Sequence, residues 1–197
     1  MKVFFFGESS NDSALAKLVA KRFPKADCIS YSGTIQGSHV DNIVRAGKAI
    51  RAKIKTDSAI KVVVLIRDLD AARTNATAYK KRDEWYKALS KEFDRKSLFL
   101  LHIQMSEALL LGDIETINEC YGVKINYTKN PEGEPNPKKV LKDATEKGRR
   151  KYSENDTTEL YPLLDYQKLL KVPYFKTFDA ELNALLNPPP AKKTRNL

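Results

Sequence analysis

Lys61-Val62-Val63-Val64-Leu65-Ile66-Arg67-Asp68-Leu69-Asp70 is the stretch of sequence that decides the fold. Its apolar run is rich in β-branched residues, is too short to span a membrane, and ends in two aspartates that flank a leucine. A strand that is apolar on both faces needs cover on both faces, which is typical of a parallel sheet in an α/β domain. Ligands of such sheets bind beyond the carboxyl ends of the strands. The stretch therefore predicts a buried central strand that brings Asp68 and Asp70 to the binding edge of the sheet.

The composition limits the size and class of the protein. A chain of 197 residues can bury one sizeable core, so we expect one domain with a smaller appended subdomain. The 35 Lys and Arg residues against 25 Asp and Glu residues give a formal net charge of +10, which favours polyanionic partners, with nucleic acid first. Cys28 and Cys120 have neither disulfide-framework nor zinc-site spacing, which indicates reduced cysteines in a cytoplasmic protein. No apolar run is long enough for a signal peptide or a bilayer span, so we expect no membrane partner.

Further apolar runs alternate with helical periodicity along the first half of the chain. The apolar runs predict three more strands, over Val3–Phe6, Cys28–Tyr31 and Ser97–Ile103. Helical spacing of apolar residues appears between them, most clearly over Ser38–Ile54 and Thr74–Phe93. Such alternation is typical of right-handed crossovers. It predicts a three-layer, Rossmann-like α/β core over residues 1–112 with a mostly parallel four-stranded sheet.

The sequence changes in character beyond Gly112. A loop dense in helix breakers, residues 130–137, precedes a strongly charged segment in which we expect a helix over Lys138–Tyr152. Apolar residues between 161 and 185 could dock such helices onto the sheet. We therefore expect a helical subdomain over residues 113–187 that packs on the core. Residues 188–197 combine prolines with basic residues and predict a disordered basic tail.

Acidic residues follow three of the four predicted strands. Glu8 follows the first, Asp68 and Asp70 follow the third, and Glu107 follows the fourth. Because the ends of parallel strands share one edge, these carboxylates can converge, and their repulsion then favours binding of a cation. Oxygen ligands without histidine or cysteine favour Mg²⁺ or Mn²⁺. The pattern predicts a metal-dependent phosphoryl or phosphodiester transfer.

The residues at the strand ends resemble the motifs of a known domain family. A glutamate after the first strand and an Asp-x-Asp after a later one form the pattern of the TOPRIM domain of topoisomerases, primases and OLD-type nucleases, matched here by Glu8 and Asp68-Leu69-Asp70. The whole chain more closely resembles the small TOPRIM-like proteins, RloB-like and relatives, that are encoded beside ATPases in bacterial anti-phage and restriction-linked loci. Their Glu-Gly-x-x-Glu motif is similar to residues 8–12, with Ser9 in place of the glycine. Their Glu-Ala-Trp-Leu-Leu-x-Asp motif is similar to residues 107–113, with a leucine in place of the tryptophan.

This resemblance implies a Mg²⁺-dependent TOPRIM nuclease that acts on DNA or RNA in phage defence, with an ATPase partner. Glu8 is then the metal-linked acid or general base, Asp68 and Asp70 are the principal metal ligands, Glu107 completes the shell, and Asp12 is a weaker ligand or a helix cap. Basic residues are expected to contact the phosphate backbone of the nucleic acid without reading its sequence. These residues are Arg73, Lys80, Lys81, Arg82, Lys138, Lys139, Arg149 and Arg150.

Each of these residues also has a simpler structural interpretation. Asp12, Asp70 and Glu107 could each favour the start of a helix, where the dipole attracts negative charge. His102 alternates within a buried strand, which is typical of a core histidine. The basic segment over Lys147–Lys151 could be a solvated face.

Two other functions stay open at this point. One is a non-catalytic TOPRIM-like module that regulates or tethers an ATPase complex. The other is a small-molecule phosphotransferase or phosphatase, which is disfavoured because Ala72 stands where the aspartyl-phosphate signature has a threonine or valine. The sequence does not distinguish DNA from RNA as the substrate, or a monomer from a homo-oligomer.

Overall fold

The sheet is built from four strands in the order β2-β1-β3-β4, and every pair is parallel. The strands are β1 (Lys2–Phe6), β2 (Asp27–Ser30), β3 (Ile60–Asp68) and β4 (Lys96–His102). The structure is a computed structural model that describes residues 1–8, 10–33 and 40–188. Ser9, the start of the helix predicted from Ser38, and all but the first residue of the predicted basic tail lie outside the described residues.

Helices connect the strands and follow the sheet. Their bounds are α1 (Ser10–Ser13), α2 (Leu15–Arg22), α3 (Val40–Thr56), α4 (Ala76–Ser90), α5 (Glu107–Leu111), α6 (Ile114–Tyr121), α7 (Pro137–Ala144), α8 (Thr157–Leu160), α9 (Tyr166–Leu169) and α10 (Pro173–Leu186). Within the described residues, three short 3₁₀ helices span Pro131–Gly133, Glu154–Asp156 and Tyr161–Leu163. Side-chain caps explain several starts: Asn75 Oδ1 accepts from the N–H of Ala78 at 3.0 Å at the start of α4.

The alternation of side chains along β3 divides the core between the two faces of the sheet. Val62, Val64 and Ile66 belong to the larger cluster, which α2, α5 and α10 cover. Val63 and Leu65 belong to the smaller cluster, which α3 and α4 cover. All five side chains are essentially inaccessible to solvent, so β3 is buried on both faces. The predicted three-layer α/β architecture with a four-stranded parallel sheet is confirmed.

The helical segment after Gly112 shares the larger cluster with the sheet, because Tyr161, Phe175 and Phe178 are buried in it beside β-strand residues. The side chain of Asp113 is fully buried and makes several polar contacts within this segment. It caps α6, accepts a 2.8 Å hydrogen bond from the N–H of Asp165, and lies 3.0 Å from Lys168 Nζ. These bonds hold the pKa of the Asp113 carboxyl below its usual value, although burial opposes them.

The charged helix predicted over Lys138–Tyr152 is shorter than expected, since α7 ends at Ala144. The hydroxyl of Thr145 donates to the carbonyl of Leu141 at 2.7 Å and accepts from the N–H of Tyr152 at 2.8 Å, which turns the chain back. A Cβ at Gly148 would lie 2.5 Å from the carbonyl oxygen of Tyr121, so the turn packs directly against the end of α6. A helix that continued past Ala144 could not make this contact.

Among the described residues, no helix is both long and apolar enough to cross a bilayer. Cys28 and Cys120 are both free thiols, as the sequence predicts. Burial is the main cause that raises the pKa of Cys28, to about 11, so this thiol stays protonated at neutral pH.

Candidate functional site

Asp68 is the last residue of β3, at the carboxyl end of the central strand. Parallel pairing places it beside His102 of β4. Its Oδ1 atom is buried and has no hydrogen-bond partner in the described structure. Burial raises the pKa of the Asp68 carboxyl well above its usual value, and nearby carboxylates raise it further, in the order Asp12, Glu107, Asp70 and Glu8. The predicted acids therefore lie close enough together for their charges to interact at Asp68.

Glu8 follows β1 and forms an ion pair that the sequence analysis does not predict. Arg67 Nη2 lies 2.5 Å from Glu8 Oε1, and the Arg67 side chain is only 4 % exposed. Arg67 points to the face of the sheet opposite Asp68, where its guanidinium carbon lies 4.7 Å from the centroid of the Trp85 ring. Glu8 is thus held by a buried cation on the α4 side of the sheet.

Asp70 is held in a similar way, because Arg82 Nη2 of α4 lies 2.7 Å from Asp70 Oδ2. The alternative that Asp70 caps α4 is wrong, since Asn75 caps that helix. Asp70 adopts a left-handed backbone conformation with φ of 56°, which aspartate tolerates better than most residues. Asp70 therefore lies at the edge of the site as the partner of an arginine rather than as a cap.

Glu107 is the first residue of α5 and is 4 % exposed, an unusual burial for an acid at a helix start. Tyr152 Oη donates to Glu107 Oε1 at 3.3 Å, and Lys138 Nζ lies 4.0 Å from the same oxygen. Burial lowers the pKa of Lys138, but the charges of Glu107, Glu154 and Asp68 outweigh it and raise that pKa overall. Lys138, predicted as a phosphate contact, is thus part of the carboxylate cluster.

Asp12 lies in the first turn of α1 and is the carboxylate that affects Asp68 most. A Cβ at Gly7 would lie 2.3 Å from the Cβ of Asp12, so only glycine lets the turn after β1 pack against this residue. Gly7 therefore fixes how closely the start of α1 packs against the end of β1.

The charges of this cluster fit a divalent cation. Five carboxylates lie with the three cations Arg67, Arg82 and Lys138, and Lys138 also pairs with a further acid, Glu154, at 3.2 Å, so acids outnumber cations in this cluster. The unpartnered Asp68 Oδ1 is an oxygen ligand of the kind that Mg²⁺ and Mn²⁺ prefer. As the side chains stand, no three acidic, histidine or cysteine residues in the described ranges are grouped closely enough to hold a metal ion. Metal binding therefore requires side chains of these carboxylates to turn closer to Asp68, and for Glu8 or Asp70 this means leaving an arginine.

The other predicted nucleic-acid contacts are scattered over the surface, and several are already paired. Arg73 Nη1 lies 3.2 Å from the buried Glu132, and Arg150 is held by Asp156 and Glu159. Lys80 lies 4.0 Å from Glu84, and Lys139 pairs with Asp143. Lys81 and Arg149 are also exposed. The structure brings Arg82 and Lys138 to the acids.

Sequence reasoning assigned no role to three buried polar residues at this edge. Arg67 was visible as the one charge inside the quoted apolar run. Tyr161 Oη is buried without a partner, and its pKa is raised well above the usual value by burial and by nearby carboxylates, Asp12 first. Tyr152 contacts Glu107, as described above, a role that the family resemblance does not assign to it.

His102 has the core position that its alternation in the sequence predicts. It is fully buried, and its Nδ1 lies 3.0 Å from the hydroxyl of Tyr174, whose ring packs edge-to-face against it. Burial lowers the pKa of His102 to about 3, so the ring is neutral at physiological pH.

Comparison of the chain with protein families, with curated proteins and with solved structures found no match. The TOPRIM-like assignment therefore stays a prediction from the motifs.

Proposed function

We propose that the carboxyl edge of the sheet binds Mg²⁺ or Mn²⁺ and hydrolyses phosphodiester bonds in nucleic acid. The observation that carries this proposal is Asp68, which ends the buried central strand with an unpartnered buried oxygen and interacts electrostatically with four other carboxylates. Such an arrangement opposes ionisation of Asp68 unless a cation neutralises the site.

The proposed roles of the residues follow from their positions in the site. Asp68 and Glu107 would hold the metal ion, with Asp70, Glu8 and Asp12 as the further carboxylates in reach. Held by these carboxylates, a divalent ion would supply positive charge for the scissile phosphate and lower the pKa of an attacking water. Glu8, half-exposed at the end of β1, is suited to accept the proton of that water.

The proposed substrate class is supported by charge. The chain has a formal net charge of +10, and Lys80, Lys81, Lys139 and Arg149 are exposed. Contacts of such side chains with phosphates add affinity without sequence specificity. The role in phage defence and the ATPase partner follow from the resemblance alone and stay predictions.

The test is cleavage of end-labelled single-stranded DNA, duplex DNA and RNA in millimolar Mn²⁺ or Mg²⁺. The wild-type protein is expected to cleave at least one of them, and Asp68→Asn is expected to lose the activity with its fold retained. Asp94→Asn is the matched control, because Asp94 is a fully exposed surface acid. Equal cleavage by wild-type protein and Asp68→Asn would refute the proposed role of Asp68.

A non-catalytic module is the second candidate, and one observation favours it. Glu8 and Asp70 are both occupied by arginines, and no metal-binding group is preformed among the described side chains. A thermal unfolding series in Mn²⁺ separates the two candidates, since an ion that binds the native state must stabilise it. The binding-module candidate predicts no shift in the melting temperature at millimolar Mn²⁺.

A further inference from the structure

Arg67 is a buried cation with an incomplete set of partners. Its Nη2 pairs with Glu8 at 2.5 Å, but its Nε and Nη1 atoms are buried without a hydrogen-bond partner in the described structure. Trp85 covers one face of the guanidinium. Buried unpaired donors are costly, typically about 1–3 kcal/mol each, so Glu8 is the main compensation for this charge.

Arg82 adds to the positive charge in the same place. Its positive charge repels that of Arg67 and lowers the pKa of Arg67, so the two guanidinium groups lie close enough to interact electrostatically. Each is balanced by one acid of the predicted metal site, Arg67 by Glu8 and Arg82 by Asp70. The same two carboxylates therefore have two alternative uses, as partners of arginines and as ligands of a metal ion.

A change in the partner of Glu8 has a direct consequence for Arg67. If Glu8 turns to a metal ion, Arg67 stays buried against Trp85 without its ion-pair partner, and only the more distant charges of Asp70 and Asp68 still act on it. Removing one partner of a buried ion pair is strongly unfavourable, because it leaves an uncompensated charge. A guanidinium in this situation is well suited to bind an oxyanion, since its planar donors match phosphate geometry.

We propose that Arg67 is a phosphate-binding residue that becomes available when Glu8 turns to the metal ion, so that the cation and a substrate phosphate bind cooperatively. This inference rests on the proposed metal site. It adds a residue that touches substrate and states an order of events: the acid leaves the arginine, and the phosphate replaces it. Arg82 is the second cation in reach of the same phosphate.

The test measures the coupling between the two ligands. Mn²⁺ binding to the full chain is measured by calorimetry with and without sodium sulfate, at an ionic strength matched with chloride. Sulfate is the probe because it is a tetrahedral oxyanion, like phosphate. The apparent Kd for Mn²⁺ is expected to fall on the order of 5- to 10-fold in sulfate, within the usual range of coupling between two sites.

Three variants assign this coupling to Arg67. Arg67→Met keeps an apolar side chain against Trp85 and is expected to abolish the effect of sulfate. Arg51→Met is the matched control, because Arg51 also forms a 2.7 Å pair, with Glu92, but at the surface of α3, and it should keep the effect. Glu8→Gln leaves Arg67 without its anion, so sulfate alone should raise the melting temperature of this variant by more than that of the wild-type protein.

The outcomes separate this inference from the proposed function. Mn²⁺ binding that is independent of sulfate in the wild-type protein, or equal coupling in Arg67→Met, overturns the role of Arg67 and leaves the metal site standing. Absence of Mn²⁺ binding to the wild-type protein overturns both. If Arg67→Met does not fold, the Glu8→Gln comparison decides, and an equal sulfate response in Glu8→Gln and wild-type protein counts against the inference.

Discussion

The backbone N–H of Asp70 donates a 2.8 Å hydrogen bond to the carbonyl oxygen of Gln104, and both residues are left-handed, with φ of 56° and 62°. This conformation costs roughly 1–2 kcal/mol in most residues with a side chain. The bond continues the pairing of β3 and β4 beyond the strand ends, where Leu69 N–H also donates to the carbonyl of His102 at 2.8 Å. The strained pairing fixes Asp70 at the edge of the site.

This conformation predicts a difference between two substitutions of Asp70. Asp70→Asn and Asp70→Ala both lose the ion pair with Arg82, but asparagine adopts the left-handed region more easily than alanine. The free energy of unfolding of the alanine variant is expected to be lower by about 1 kcal/mol. Urea denaturation of both variants measures the difference. Identical midpoints would show that the left-handed conformation carries no cost here.

Asp68→Asn is expected to stabilise the metal-free protein at neutral pH. The native pKa of Asp68 is raised, so the folded state binds more protons than the unfolded state between about pH 4 and that raised pKa. Across this window the wild-type protein loses stability as the pH rises, whereas the amide has no proton to lose. At pH 7 we therefore expect the variant to unfold at a higher urea concentration than the wild-type protein.

Urea denaturation from pH 4 to pH 8 measures this gain, and Mn²⁺ provides its internal control. At an ion concentration 100 times Kd, the wild-type protein should gain about 2.7 kcal/mol, and Asp68→Asn much less. A variant that is less stable than the wild-type protein across the whole pH range would show that the native state favours the ionised Asp68 carboxyl, contrary to its raised pKa.

The sheet was predictable because its strands are short apolar runs separated by helical periodicity. The quoted stretch predicted a strand that is followed by Asp68 and Asp70, and β3 in fact spans Ile60–Asp68, so Asp68 is its last residue. The charged segment after Lys138 was harder to predict. Its helix ends where Thr145 contacts Leu141 and Gly148 contacts Tyr121, and the second contact joins residues 27 positions apart in sequence.

The predicted acids meet at one edge because parallel strands end together, and this follows from topology alone. Their pairing with Arg67 and Arg82 does not follow from it, because it depends on which face of β3 each side chain occupies and on the position of α4. Lys138 shows the same limit. Its place in a basic segment predicts a phosphate contact, and only the packing of α7 against α5 reveals Glu107 as its neighbour.

His102 predicts an acid-sensitive contribution to stability. Its native pKa of about 3 lies below the ordinary value of 6.5, so the folded state resists protonation. The contribution is complete above pH 6.5 and is lost as the pH falls towards 3, by roughly 2 kcal/mol at pH 5. Because Asp68 changes stability in the opposite direction over part of this range, the wild-type profile alone does not isolate the effect.

His102→Asn isolates it, because the amide can still reach the hydroxyl of Tyr174 but does not titrate. The difference in unfolding free energy between variant and wild-type protein should narrow as the pH falls from 7 to 5. A constant difference over this range would mean that His102 is protonated in the native state at an ordinary pKa.

Gly7 offers the sharpest test of how the turn after β1 positions the site. A Cβ at this position would lie 2.3 Å from the Cβ of Asp12. Because the Cβ of Asp12 is bonded directly to the backbone of α1, it can move only if α1 moves with it. Gly7→Ala is therefore expected to destabilise the protein by about 1–3 kcal/mol, as overpacking usually does, and to weaken Mn²⁺ binding by displacing Glu8 and Asp12. Gly133→Ala is the matched control, because nothing lies within 4 Å of the Cβ that it would add. Thermal unfolding with and without Mn²⁺ reports both effects, and a Gly7→Ala variant that matches Gly133→Ala in both would show that the close approach to Asp12 does not hold the acids in place.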